Sequence, residues 1–291
     1  MQDLHKYVAI SEEFFNDAIS KVKSGGLLFN RKVTRIVTPG TLMDEKFMDP
    51  CSNNFLLAVF VKDYDDKVQR DADTLSTVTV AETVLSKLKD QPAGLAWLDL
   101  STGEFYTQAT TVSALPTSLV RIGAKEIILN SMMNRNLQPS VMDVLGHYSN
   151  LVTWQSSLPR TAKISEWSHM LETPVPESRQ GTFTNQEVVA GSMLLDYVTN
   201  KLQGFATRLQ APVRRLVNEG MTIDRHTMRG LEVLETSKDG LSAGKGSLFH
   251  AMRRTVTKSG TRLLREWICT CSTQLYFQNS VEHFYSRLLP I

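Results

Sequence analysis

Gly240-Leu-Ser-Ala-Gly244-Lys245-Gly246-Ser247 has the glycines and the lysine of a phosphate cradle. Such a loop needs four residues between its glycines and a Ser or Thr directly after the Lys, so that successive amides and a hydroxyl face the phosphates. Neither condition holds, and no buried strand precedes it, so the segment reads as a loop between helices. Six histidines (His5, His147, His169, His226, His250, His283) include no His-x-x-x-His pair. The three cysteines (Cys51, Cys269, Cys271) include no Cys-x-x-Cys, so no two ligands share a face and no metal site is expected. Buried thiols in a reducing compartment are the simpler account of the cysteines.

Basic residues are the second group. Arg208, Arg214, Arg215, Arg225, Arg229, Arg253, Arg254, Lys258, Arg262 and Arg265 crowd the last third of the chain and outnumber the acids near them. Arg254, Lys258, Arg262 and Arg265 follow the three-to-four spacing of one helix face, but Gly260 is expected to interrupt that helix. Charge runs are usually solvated faces. The candidates for proximity to nucleic acid are Arg214, Arg215, Arg225, Arg253, Arg254, Lys258 and Arg262. Over 291 residues, 32 Lys plus Arg balance 30 Asp plus Glu, a net charge of +2. That excludes a binder working by bulk charge, and any phosphate contact must be local.

These groups must be positioned by elements that the apolar pattern reveals. The chain is 42% hydrophobic and 21% charged, enough for one large or two ordinary cores. No apolar run approaches the roughly 20 residues that span a bilayer. MQDLHKYVAISEEFF shows neither a signal-peptide nor a transit-peptide pattern. YVAI (7–10) reads as a short strand, SEEFFNDA as a helical stretch and Ser24-Gly-Gly as a turn. RKVTRIVTPGT reads as a strand ended by Pro39-Gly40. NNFLLAVFV (53–61) is a continuous apolar run expected of a central strand covered on both faces. The stretch from there to Pro92 reads as a surface insertion with a helix over TVTVAETVLSKLK.

GLAWLDLSTGEFYTQAT is a hairpin turning at Ser101-Thr-Gly103, followed by a helix over SALPTSLVRIG, a buried strand at EIILN and a helix at PSVMDVLGHY. That order makes a mixed α/β domain. Residues 156–186 are rich in Ser, Pro, Thr and Glu and read as a domain boundary, after which EVVAGSMLLDYVTNKLQGFATRLQ is one amphipathic helix. TMRGLEVLETSK, GSLFHAMRRTV and GTRLLREWI continue as helices broken by glycines. Asp99, Glu104 and Asp143 could converge for two-metal phosphodiester cleavage if the α/β domain has a ribonuclease H-like sheet, yet only Asp99 sits where such a carboxylate belongs. A turn-capping role for Asp99 is the simpler one.

RKVTRIVTPGTLMDE (31–45), GLAWLDLSTGEF (94–105), MTIDRHTMRGLEVLE (221–235) and GSLFHAMRRTVTKSGTRLLREW (246–267), in this order, resemble the MutS family of DNA mismatch-repair proteins. YVAISEEF and TVTKSGTRLLREW are most similar in wording to mitochondrial MutS homologues of fungi, which implies a mitochondrial location, with the nucleus as alternative. The resemblance covers about Tyr7 to Gln274 and implies α/β plus all-α architecture. Residues 1–45 would be the end of the mismatch-binding domain and a linker. Residues 46–165 would form a ribonuclease H-like connector, 166–185 a linker, and 186–291 the start of an incomplete helical core/lever domain, divergent after about 274. The ending LYFQNSVEHFYSRLLPI departs from the family's long lever helices, as a frame change, a retained intron or a truncated gene model would produce.

The family's mismatch-wedging Phe-x-Glu motif and its ATPase domain match nothing in this chain. The resemblance therefore implies a non-catalytic coupling portion, with no cofactor of its own and with ATP and Mg²⁺ belonging to the full-length parent. The partners it implies are mismatched double-stranded DNA through the parent, a MutS-type dimer partner and, through the connector, a MutL-type protein; a membrane is not among them. A truncated product that binds or interferes with partners is the alternative.

Overall fold

A computed structural model describes residues 7–14, 30–61, 89–131, 137–156, 162–203, 208–217, 223–234, 236 and 245–270. Strands β1 (Val8–Phe14) and β2 (Asn30–Val37) form an antiparallel ribbon with a register shift between Ile10 and Ser11. The helical stretch expected from Ser11 onward is thus corrected to strand as far as Phe14. Glu12 lies opposite Lys32 and Glu13 opposite Arg31, and cross-strand charge pairing supplies what helix propensity alone does not register. The rest of that stretch, the Ser24 turn and, apart from Lys89 at its end, the helix expected in the insertion lie outside the described residues.

The centre is a six-stranded sheet built from β3 (Phe55–Val61), β4 (Pro92–Asp99), β5 (Glu104–Thr111), β6 (Glu126–Asn130), β7 (Val152–Gln155) and β8 (Val213–Arg215). The order is β7-β6-β3-β4-β5-β8. β3, β4 and β5 are successively antiparallel; β6 is parallel to β3, β7 to β6 and β8 to β5. β3 is interior with both faces covered, as its unbroken apolar run requires. Leu57 and Val59 join one core and Leu56 and Ala58 the other. The same alternation divides Leu95 and Trp97 from Ala96 and Leu98 on β4.

One face is covered by α1 (Leu115–Ile122) and α2 (Leu137–Leu145), which bury Leu115, Leu119, Ile122, Val141 and Leu145. Pro116 opens α1, and Gly123, with φ of +65°, ends it. β7 is not legible in the sequence, because four residues with one buried position carry too little pattern.

The other face departs from the sequence reading. The helix α4 (Asn185–Leu202) lies on β3 and β4 and belongs to the sheet's core, while the Ser- and Pro-rich stretch before it packs over α4. Ile164, Trp167, Met170, Leu171, Val175 and Phe183 are all buried there, with the short helix α3 (Glu177–Gln180) between. Scattered apolar anchors in a polar background read as a linker, but each fills a space left by α4. Trp167 lies so close to Gly191 that an added Cβ would sit 2.6 Å from its ring, and its indole N–H donates to the Ser192 hydroxyl at 2.9 Å. Enclosed by sheet and strap, α4 buries most of its circumference, and its amphipathic character survives as one stripe through Asn185, Val189, Asp196, Thr199 and Asn200.

Beyond β8 come α5 (Arg225–Gly230), α6 (Leu248–Met252) and α7 (Lys258–Cys269). Met228, Val233 and Cys269 make a small core that reaches α1 through Val120. Leu231, Leu248, Met252, Val256 and Leu263 remain exposed. Cys269 is buried, Cys51 half-buried, and Cys271 outside the described residues.

Candidate nucleic-acid interface

Asp99 ends β4 with no exposed surface. One carboxylate oxygen accepts from the Ser101 amide at 2.9 Å and the Ser101 hydroxyl at 2.6 Å, and the other from the Asn54 amide at 2.8 Å. All three donors belong to the hairpin and its neighbouring loop, so Asp99 holds the turn. Glu104 is its cross-strand partner and half-buried, whereas Asp143 is exposed on α2. Burial pushes the Glu104 carboxyl above its ordinary value; the Thr102 hydrogen bond opposes this, Asp99 and Glu266 add to the rise, and Arg262 counters it. Among the described residues, no three His, Cys, Asp or Glu stand where they could hold one metal ion.

The phosphate-loop candidate is largely outside the described residues. Within them, the Ser247 hydroxyl is buried and accepts from the His250 amide at 3.1 Å, capping α6.

The structure divides the seven basic candidates. Arg214 and Arg215 lie on β8 at the sheet's edge. Arg214 Nε donates to both oxygens of the buried Glu187. Arg215 donates to Glu266 of α7 at 2.6 Å and lies 5.0 Å over the Tyr106 ring. Both are thus joints of the fold. Arg225 opens α5, and its side chain lies outside what is described. Arg253 and Arg254 are exposed between α6 and α7, Lys258 is exposed at the start of α7, and Arg262 is half-buried one turn on. Among the described residues, Arg253, Arg254 and Lys258 form no ion pair.

Gly260 does not interrupt α7, contrary to the sequence expectation. It sits in the first turn, where its amide donates to the Thr257 hydroxyl at 3.0 Å. An added Cβ would stand 3.0 Å from that same oxygen, so glycine leaves room for the cap. Lys258, Arg262 and Arg265 therefore share one continuous helix.

Two buried glutamates that the sequence reading passed over organise the unit. Glu126 is 2% exposed and Glu187 fully buried. Oε2 of Glu126 accepts from the Thr38 hydroxyl and from the Gly40 amide at 3.0 Å; Oε1 accepts from Thr153 at 2.8 Å and Tyr197 at 2.7 Å. Burial, then the Glu126 charge, pushes the Tyr197 hydroxyl far above its ordinary value, so it stays a donor. Both signals are local: a carboxylate at the head of a buried strand, and Thr184-x-x-Glu187, whose capping box is fully formed.

No helix among the described residues is long and apolar enough to cross a membrane. The family model for MutS domain II matches residues 59–210, and that for MutS domain III matches residues 226–276. A protein named DNA mismatch repair protein MutS from Wolbachia pipientis wMel is 26% identical over 291 residues, covering 97% of this chain and 30% of the relative. Its namesake in Ruegeria sp. is 28% identical over 271 residues, covering 92% and 27%. That of Anaplasma phagocytophilum is 27% identical over 288 residues, covering 96% and 31%. The chain thus spans under a third of the length of these relatives. With one family model matching more than half of the chain and a second following it in order, the chain belongs to the MutS family and carries sequence of its domains II and III.

Proposed function

We propose that this chain is the non-catalytic coupling portion of a MutS-type mismatch-repair protein, joining mismatched-DNA binding to an ATPase domain and touching duplex DNA weakly and without sequence or mismatch preference. The observation that carries this reading is the succession of domain II and domain III matches along one chain. The geometry supports it, since the helical residues dock on the α/β unit through Val120 and through the Arg215–Glu266 pair. Packed contacts of this kind can carry coupling between sites. The strand order, three antiparallel strands followed by two parallel ones on the other side of the first, supports a ribonuclease H-like connector.

Arg225, Arg253, Arg254, Lys258 and Arg262 are the DNA-proximal residues in this reading. ATP and Mg²⁺ belong to the parent protein's ATPase domain. No step of the proposed role passes through them. The partners are mismatched duplex DNA through the parent, a MutS-type dimer partner, and a MutL-type protein on the connector. The wording of 7–14 and 255–267 favours the mitochondrion over the nucleus.

Fluorescence anisotropy with matched and singly mismatched duplexes over a salt series tests the role. Weak, steeply salt-dependent binding that ignores the mismatch is the expected result. Tight, mismatch-selective binding by this chain alone overturns it.

A further inference from the structure

The α/β unit has two junctions of opposite physical character. Upstream, the turn after β2 is fastened to Glu126, whose buried carboxylate takes donors from that turn (Thr38 and Gly40), from β7 (Thr153) and from α4 (Tyr197). The fit is close: an added Cβ at Gly40 would lie 2.5 Å from Leu56 Cδ1 and 3.0 Å from Glu126 Cβ. The ribbon's near end is tied to the same place from outside. The Tyr7 hydroxyl shares a 2.7 Å hydrogen bond with Thr153, and the Lys201 ammonium lies 5.5 and 5.0 Å from the Tyr7 and Tyr197 ring centres. Withdrawing any of these donors leaves a buried carboxylate underfilled, which proteins tolerate poorly.

Downstream, α7 is held differently. The Arg215 and Glu266 side chains that meet at 2.6 Å are 38% and 44% exposed. The same guanidinium lies over Tyr106, itself stacked on Trp97 with ring centres 5.5 Å apart. Glu104 of β5 feels both sides of the contact, repelled by Glu266 and attracted by Arg262 of α7. Exposed pairs of this kind are weak and screened by salt. Alongside this contact, the small cluster of Met228, Val233 and Cys269, with Val120 and Ile268 packed against it, joins the helical residues to α1.

We infer that the β1–β2 ribbon and the six-stranded sheet move as one rigid body, and that α7 is held to this body by a releasable charge latch centred on Arg215. The inference rests on the two junctions alone and stands whether or not the chain binds DNA.

Hydrogen exchange of the full 291-residue chain, resolved by segment, reads both halves of it. Arg215→Glu and Glu266→Arg each speed exchange of α7 amides about threefold to fivefold, leave β3 and β4 amides unchanged, and are largely reversed by the charge-swapped double variant. Should Arg215→Glu fail to fold, Glu266→Gln on the exposed partner gives the same reading. Unchanged α7 exchange in Glu266→Gln, or β3 and β4 opening together with α7, overturns the latch. Tyr197→Phe speeds exchange of Gly40, β6 and the ribbon together; a ribbon that exchanges independently of β6 overturns the rigid body.

Discussion

Arg214 Nε lies 3.0 and 3.1 Å from the two carboxylate oxygens of Glu187, a residue with no exposed surface, while a quarter of the Arg214 side chain stays in water. The same carboxylate accepts from the Thr184 amide at 2.8 Å and the Thr107 hydroxyl at 3.3 Å, so cap, sheet and β8 meet at one charge. Gly94 allows that approach, since an added Cβ there would stand 2.2 Å from the Gln186 carbonyl group.

Removing Arg214 strands a buried charge. Arg214→Ala is expected to destabilise the protein by about 3 kcal/mol in urea unfolding. Arg214→Lys recovers little of this, because an ammonium cannot present Nε geometry to both oxygens. A variant that unfolds at wild-type urea but binds DNA less tightly would show that Arg214 serves phosphate rather than Glu187.

Glu104 gives the fold a pH dependence of definite sign. Burial raises its carboxyl in the folded protein, so the folded state holds the proton more tightly than the unfolded chain does. Its contribution to stability is complete below the ordinary carboxylate range and is lost as pH rises through the raised value. Glu104→Gln, which never ionises, is therefore expected to melt about 1–2 °C above wild type at pH 7, a modest margin because the group is only half-buried. The margin should close as the pH falls to the ordinary carboxylate value. A margin that is constant from about pH 4 to 8 would refute the assignment.

The exposed cations of the α6–α7 region can be separated from the β8 pair by their salt response. Replacing Arg253, Arg254 and Lys258 together by Ala should leave the melting temperature unchanged. If all three meet phosphates, the slope of log affinity against log salt should flatten by up to about 2.7, at about 0.9 for each phosphate no longer neutralised. An unaltered slope moves the DNA contact elsewhere on the chain.

Local chemistry made much of the fold legible. The unbroken FLLAVFV run fits only a strand covered on both faces, and Ser101-Thr-Gly103 supplies a turn in which Gly103 takes a φ of +73°. Where the reading failed, the deciding partner was distant. Ser11–Phe14 reads as helix until Asn30–Val33 is paired with it. The strap over α4 reads as a linker because its anchors, from Ile164 to Phe183, have no period of their own and are spaced by the surface they fill. Gly260 reads as a helix break when its spacing is counted and as a cap when the Thr257 hydroxyl is in view.

The local elements, their order, the capping box at Thr184 and membership of a family are legible along the chain, since each depends on residues a few positions apart or on wording in sequence order. Which arginines are paired emerges from packing in three dimensions. Arg214 meets Glu187 across 27 positions, Arg215 meets Glu266 across 51, and Tyr197 meets Glu126 across 71. An arginine looks the same in a sequence whether it faces water or a buried carboxylate, because the energy that distinguishes the two comes from the low-dielectric surroundings that folding creates.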